Sequence, residues 1–288
     1  MKKRTLPLII VVLTAIMLLS GCMGDGTAAS GIKSDMKKQD AYFKGDYVEA
    51  ENTSAATEFF TDYDFDTATN FRCDMLVSID NEGEKEADYY QRSKYLYDVT
   101  DKDDPLVYLY MITPVSTTDS AGKTVNCNYV AEAYLDSKNY MMYIETKVSN
   151  KQLHLEYTAE NNKYYGKMKT SMANLSSAMS TYGFNTETGM GYSDGTDMSD
   201  YVSLVDNAIS EYGAKVYLCG ENMLKVEGTT NGSYVAFYFC INEDGFRVKM
   251  ETRAEDQFVI KAYLNYYHTT DTVTLPDDLY DYRNVNYL

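Results

Sequence analysis

The 288 residues carry 43 Asp and Glu against 26 Lys and Arg, a net charge of −17 at neutral pH. So acidic a surface repels nucleic acid and anionic lipid headgroups, which excludes DNA- and RNA-binding roles. The chain has 29 tyrosines and 15 methionines but no tryptophan.

Lys2, Lys3 and Arg4 precede an apolar run from Leu6 to Leu19, and Ser20-Gly21 follow it. Charged, apolar and small-residue regions in that order form a secretory leader. The apolar run is 14 residues long. A helix needs about 20 to cross a bilayer, so removal of residues 1–21 is expected. Leu19-Ser20-Gly21-Cys22 resembles the bacterial lipobox. The resemblance implies that the Cys22 thiol accepts a diacylglyceryl group and that Cys22 becomes the mature N-terminus. Two acyl chains make a stable anchor where one alone is marginal. Loss of the three leader cations takes the net charge to −20, so the acyl anchor, not a basic patch, is expected to hold the chain at the membrane. Met23 stands where some Gram-negative lipoproteins carry an inner-membrane-retaining aspartate. The Lys- and Tyr-rich, Arg-poor composition points to a Gram-positive cell surface.

Residues 22–50 lack periodicity and read as a lipidated flexible tether, leaving 51–288 as the folded domain. A short helix is predicted across Glu51–Tyr63, with Ala55, Phe59 and Phe60 on one side. Alternation then takes over. In Phe71–Ile79 every odd position is apolar, and even positions are polar except Leu76. Val125–Leu135 and Phe246–Met250 repeat the pattern, which marks strands with one covered and one wet face. Turns are signalled at Asp80–Gly83, Asp136–Asn139, Thr230–Gly232 and Glu243–Gly245. About eleven or twelve strands are predicted, six before and about six after a helical interruption.

The interruption contains two predicted helices. In Lys163–Tyr182, Met168, Met172, Leu175 and Met179 recur at helical spacing; a second helix, opened by Ser199, carries Val202, Val205, Ile209 and Tyr212 up to Gly213. Without βαβ alternation, a parallel sheet is not expected. The fold class is therefore α+β: a large curved antiparallel sheet, a half-barrel, with two or three helices covering the concave side. Lipobox, tether, meander, central helices, second meander and a closing Val273-Thr-Leu-Pro-Asp-Asp278 strand are together similar to the LolA/LppX-like half-barrel lipoproteins. That resemblance implies a cavity that carries lipid or acyl chains.

Two functions follow as expectations. The first is a carrier of a lipid or other hydrophobic ligand, its cavity lined by Met168, Met172, Leu175, Met179, Val205 and Ile209. The second is a protein- or glycan-binding scaffold that uses an outer face rich in tyrosine, with Tyr143, Tyr217, Tyr234, Tyr238, Tyr263 and Tyr267. Four cysteines remain after Cys22. Alternation places Cys73 and Cys127 on apolar faces and Cys219 and Cys240 on the other, so two readings stay open. Either Cys73 pairs with Cys127 and Cys219 with Cys240, or all four are free, mostly buried thiols.

Little else suggests chemistry. Gly191-Tyr-Ser193-Asp-Gly195 matches G-x-S-x-G but lacks the buried strand before and the helix directly after that a nucleophile elbow requires. Asp62-Tyr-Asp64-Phe-Asp66 opens like a calcium loop, then offers Thr67 and Cys73 where glycine and glutamate are needed. His154 and His268 have no ligand-spaced partners. No enzyme activity, cofactor or metal is expected.

Overall fold

The computed structural model describes residues 29–61, 69–81, 89–118, 122–149, 166–171, 198–230, 233–254 and 258–284. Three helices, α1 (Ala29–Tyr42), α2 (Ser54–Thr61) and α3 (Met198–Tyr212), accompany one sheet of thirteen strands. The strands are β1 (Val48–Glu49), β2 (Phe71–Asn81), β3 (Tyr89–Asp98), β4 (Leu106–Thr118), β5 (Thr124–Asp136), β6 (Met141–Ser149) and β7 (Gly166–Ser171). After α3 come β8 (Lys215–Cys219), β9 (Met223–Thr230), β10 (Ser233–Asn242), β11 (Gly245–Ala254), β12 (Phe258–His268) and β13 (Arg283–Asn284).

β2 to β7 form one meander and β8 to β12 a second. They join where β12 lies antiparallel to β2, from Phe258 opposite Asn81 to His268 opposite Phe71. β1 extends one edge by pairing with β8, and β13 extends the other by running parallel to β7. The sheet is curved and unclosed, an α+β half-barrel as the alternation predicts.

The inner face of the second meander and β2 carries a closed core. Phe71, Met75, Val77, Leu224, Val226, Phe239, Phe246 and Val248 are buried beneath Phe59 and Phe60 of α2 and Tyr201 and Val205 of α3. Phe60 meets Phe239 edge-on, with ring centroids 5.0 Å apart. The Tyr201 hydroxyl donates to the Tyr266 hydroxyl at 2.9 Å, which gives two buried polar groups a partner. α3 ends at Gly213, whose left-handed φ of 62° turns the chain into β8. α2 buries Ala56 with the two phenylalanines, one residue beyond the predicted Ala55.

α1 is the main departure. It occupies the segment expected to be tether and packs on the opposite, outer face. Ile32, Met36 and Phe43 are buried against Leu76, Cys240 and Tyr263. Asp40 accepts hydrogen bonds from Lys249 (2.7 Å) and Tyr263 (2.8 Å), and the Arg247 guanidinium lies 3.9 Å from the centre of the Tyr42 ring. Ile32 and Met36, four residues apart, are too few to register as a periodic pattern.

The predicted helix at Lys163–Tyr182 is also corrected in part. Gly166–Ser171 is a strand, because Met168 and Thr170 alternate with Lys167 and Lys169 and pair along β6. The closing strand expected at Val273–Asp278 is not a strand, and β12 ends before it at His268. Beyond it the chain leaves the ladder and runs as a strap along the sheet to β7. The Val273 amide donates to the Asp98 carboxylate at 2.8 Å, and Lys167 forms an ion pair with Asp278.

None of the four described cysteines forms a disulfide. β9 lies between Cys219 on β8 and Cys240 on β10, and β3 and β4 separate Cys73 from Cys127. Neighbouring strands are about 4.8 Å apart, so neither pair falls within disulfide reach. Burial raises the Cys73 thiol pKa to about 12, consistent with an inert packing role.

Candidate ligand-binding cleft

On the outer face, the start of α1 overhangs β2, β3 and β4 and leaves a cleft of about 500 Å³. The strand register builds its floor as three cross-strand rows. Arg72, Leu96 and Tyr108 form the first, Asp74, Lys94 and Tyr110 the second, and Leu76, Arg92 and Ile112 the third. All these positions are even-numbered because the side-chain period of two puts them on one face. Gly31 and Ile32 supply the overhang.

Three cations thus converge in one cleft of a strongly acidic chain. Arg72 donates through Nε (2.9 Å) and Nη2 (2.5 Å) to Asp271 on the strap. Arg92 donates through Nη2 to Asp35 of α1. Asp35 also takes Lys38 at 2.7 Å. Lys94 makes no ion pair among the described residues, and its cross-strand neighbour Asp74 accepts instead from the Tyr267 hydroxyl at 3.4 Å. Each guanidinium has five donors, of which these bonds use two in Arg72 and one in Arg92. Hydrogen bonds from Lys38 and charge from Arg92 hold the Asp35 pKa below the ordinary carboxylate value, and Arg72 does the same for Asp271. Burial, then the Glu132 charge, raises the Tyr108 pKa. At neutral pH the cleft therefore has ionised Asp35 and Asp271 at its rim and a neutral Tyr108 phenol on its floor.

The docking of α1, and with it the cleft wall, depends on pH. Burial opposes ionisation of Asp40, but Lys249 and Tyr263 outweigh it, and its folded pKa is lowered. Asp35 is likewise lowered. Groups depressed on folding stabilise fully above their unfolded pKa of about 4 and lose that contribution as pH falls through the folded value. Tyr263 is shifted the other way, by burial and then by Asp40, so its contribution is lost above about pH 10. Hydrogen-exchange protection of α1 amides is expected to be level from about pH 5 to 9. Below about pH 4 it should fall before the β10–β12 amides lose protection. Simultaneous loss in both regions would contradict this coupling.

Of the residues expected to line a cavity, the described ones do not all come together. Val205 is buried in the closed core and Ile209 packs against it, whereas Met168 is buried on β7 at the other arm of the sheet. Met172, Leu175 and Met179 lie outside the described residues, as do Cys22, Ser193, His154 and the Asp62–Asp66 turn. His268 Nδ1 is 3.0 Å from the Thr69 hydroxyl. The six outer-face tyrosines are already engaged. Tyr238 meets Phe43 and Tyr47, Tyr263 holds Asp40, Tyr234 donates to Glu227, and Tyr267 donates to Asp74. Lys225 lies over Tyr217, and Tyr143 meets Tyr282 edge-on. Arg72, Arg92, Lys94, Tyr108 and Tyr110 were not singled out by sequence. Their one legible signal is basic and tyrosine residues at even positions of consecutive strands, and it needs the register to become a site.

No protein-family model matches the chain, and no curated protein matches it. Among solved structures the chain is similar to a DUF1329 family protein from Desulfovibrio piger ATCC 29098. That match has 8% identity, covers 77% of this chain and 93% of that one, and has a TM-score of 0.21. A likeness at that score carries no argument about function.

Proposed function

We propose that the chain is an exported, lipid-anchored binding protein of the cell surface, tethered through diacylglyceryl on Cys22, whose outer-face cleft takes an anionic ligand. The observation that carries this reading is the convergence of Arg72, Arg92 and Lys94 with Tyr108 and Tyr110 around one concavity. Charged donors supply strength and direction, and tyrosine rings supply apolar contact with a polar tip. The neighbouring cations keep the rim carboxylates of Asp35 and Asp271 below the ordinary carboxylate range, which suits a site that binds through fixed charges.

Thermal unfolding with a panel of small anions tests it. Glycerol phosphate or a hexuronate at millimolar concentration should raise the melting temperature by a few degrees, through preferential binding to the folded state. A neutral sugar of equal size should not, and Arg92→Gln should remove the response. If every anion leaves wild-type melting unchanged, the reading fails.

One observation favours the carrier alternative. The Thr170 hydroxyl on β7 is buried on the inner face without a hydrogen-bond partner among the described residues. A buried unpartnered hydroxyl costs about 1–3 kcal/mol and is a fitting place for a ligand's polar end. Solvent extraction of the purified chain would recover stoichiometric lipid if that face holds one.

A further inference from the structure

We infer that the cleft docks on the phosphate of an anionic phospholipid in the membrane that bears the anchor, and so fixes which side of the half-barrel faces the bilayer. The inference rests on the lipid-anchor reading above and names the partner of the same cleft. Its first support is chain length. Cys22 and Ala29 are seven residues apart, and an extended chain spans at most about 3.5 Å per residue. The first turn of α1 is therefore within about 25 Å of the acyl anchor. Gly31 and Ile32 of that turn form the cleft wall, and α1 is held to the sheet by Ile32, Met36, Phe43 and Asp40. A docked α1 so close to the bilayer brings the cleft to the headgroups.

Charge is the second support. A net charge of −20 opposes approach to an anionic leaflet if spread evenly. Within that charge, Arg72, Arg92 and Lys94 line one cleft beside the start of α1, the two arginines paired with Asp271 and Asp35. Lys94 makes no ion pair among the described residues, and Arg92 gives one recorded nitrogen to Asp35. A phosphate can accept from both, with Asp35 and Asp271 as rim partners that the incoming anion displaces in part. This qualifies the expectation that the acyl chains alone hold the protein at the membrane.

Vesicle flotation of the chain from Cys22 onward, with Cys22→Ser to remove the acyl contribution, tests the contact directly. Vesicles of phosphatidylcholine with phosphatidylglycerol should capture the chain, whereas phosphatidylcholine alone should capture much less. Lys94→Glu should weaken capture about tenfold or more, since each basic side chain at a membrane surface is worth about 1 kcal/mol and reversal counts twice. Lys138→Glu, the same charge change on an exposed turn, should not. Equal binding of the two variants would overturn the inference. So would capture indifferent to lipid charge alongside a Lys94-dependent response to soluble glycerol phosphate, which would assign the cleft to a free phosphate ester. Intact mass of the cell-derived protein separates this from failure of the anchor reading. A lipidated Cys22 with an inert Lys94→Glu would sink the headgroup contact alone. A Lys94-dependent vesicle interaction on an unlipidated chain would sink the anchor and leave the contact standing.

Discussion

Replacing Gly245 with alanine is expected to destabilise the domain by about 3 kcal/mol or more. Gly245 closes the β10–β11 hairpin, where Asn242 opposes Gly245 around the two residues Glu243 and Asp244. Its φ of 139° is one that side chains rarely adopt, and an added Cβ would collide with the Tyr266 carbonyl oxygen of β12. That neighbour is backbone in a continuous ladder, so it cannot swing aside. Either β11 shifts away from β12 or the hairpin refolds. Gly220→Ala is the control: its φ of 63° is also left-handed, but the nearest atom is Asn222 Oδ1 at 3.8 Å. It should lose only the conformational part, about 1 kcal/mol. Urea unfolding of the two variants checks both values. Equal losses would mean that the hairpin yields where the structure says it is clamped.

Phe239→Ala is expected to cost about 3–5 kcal/mol, which for a domain of this size lowers the melting temperature by roughly 10 °C. Phe239 is fully buried and joins three elements. It meets Phe60 of α2 at 5.0 Å and Tyr201 of α3 at 5.7 Å, and stacks on Phe246 of β11 at 6.1 Å. Truncation leaves a void walled by rings that cannot all collapse inward. A loss under about 1 kcal/mol would show that this part of the concave side is loosely filled and has room for a ligand. The measurement thus bears on function as well as stability, because the same residues decide whether α2 and α3 plug the sheet or roof a cavity.

Much of this architecture was legible. Strict alternation in Phe71–Ile79 identified β2 and its inner face, and Glu243-Asp244-Gly245 identified a tight hairpin. Val202, Val205 and Ile209 placed the inward stripe of α3. The one break in β2, apolar Leu76 at an even position, was a faint sign of α1, since Leu76 is buried beneath it. α1 itself stayed hidden because its docking uses single residues, Ile32, Met36, Phe43 and Asp40, spread among polar neighbours. Met168 was misread because methionines at spacings of four fit a helix, while the two-residue alternation of β7 covers only Gly166–Ser171. The cleft was invisible for a different reason. Arg72, Lys94 and Tyr110 are scattered along the chain, and only the register of β2, β3 and β4 brings them face to face.

Asn81 and Phe258, paired across the β2–β12 contact, stand 177 positions apart, whereas every other junction between long neighbouring strands is made between consecutive ones. Closing so long a loop costs about 3 kcal/mol more than closing a hairpin, so each half of the molecule is expected to zip first and the central seam last. The strand that ends up in the middle, β2, therefore waits with a bare edge until the final third of the polypeptide is available. For a chain made from its N-terminus, that interval is its period of greatest exposure to wrong partners.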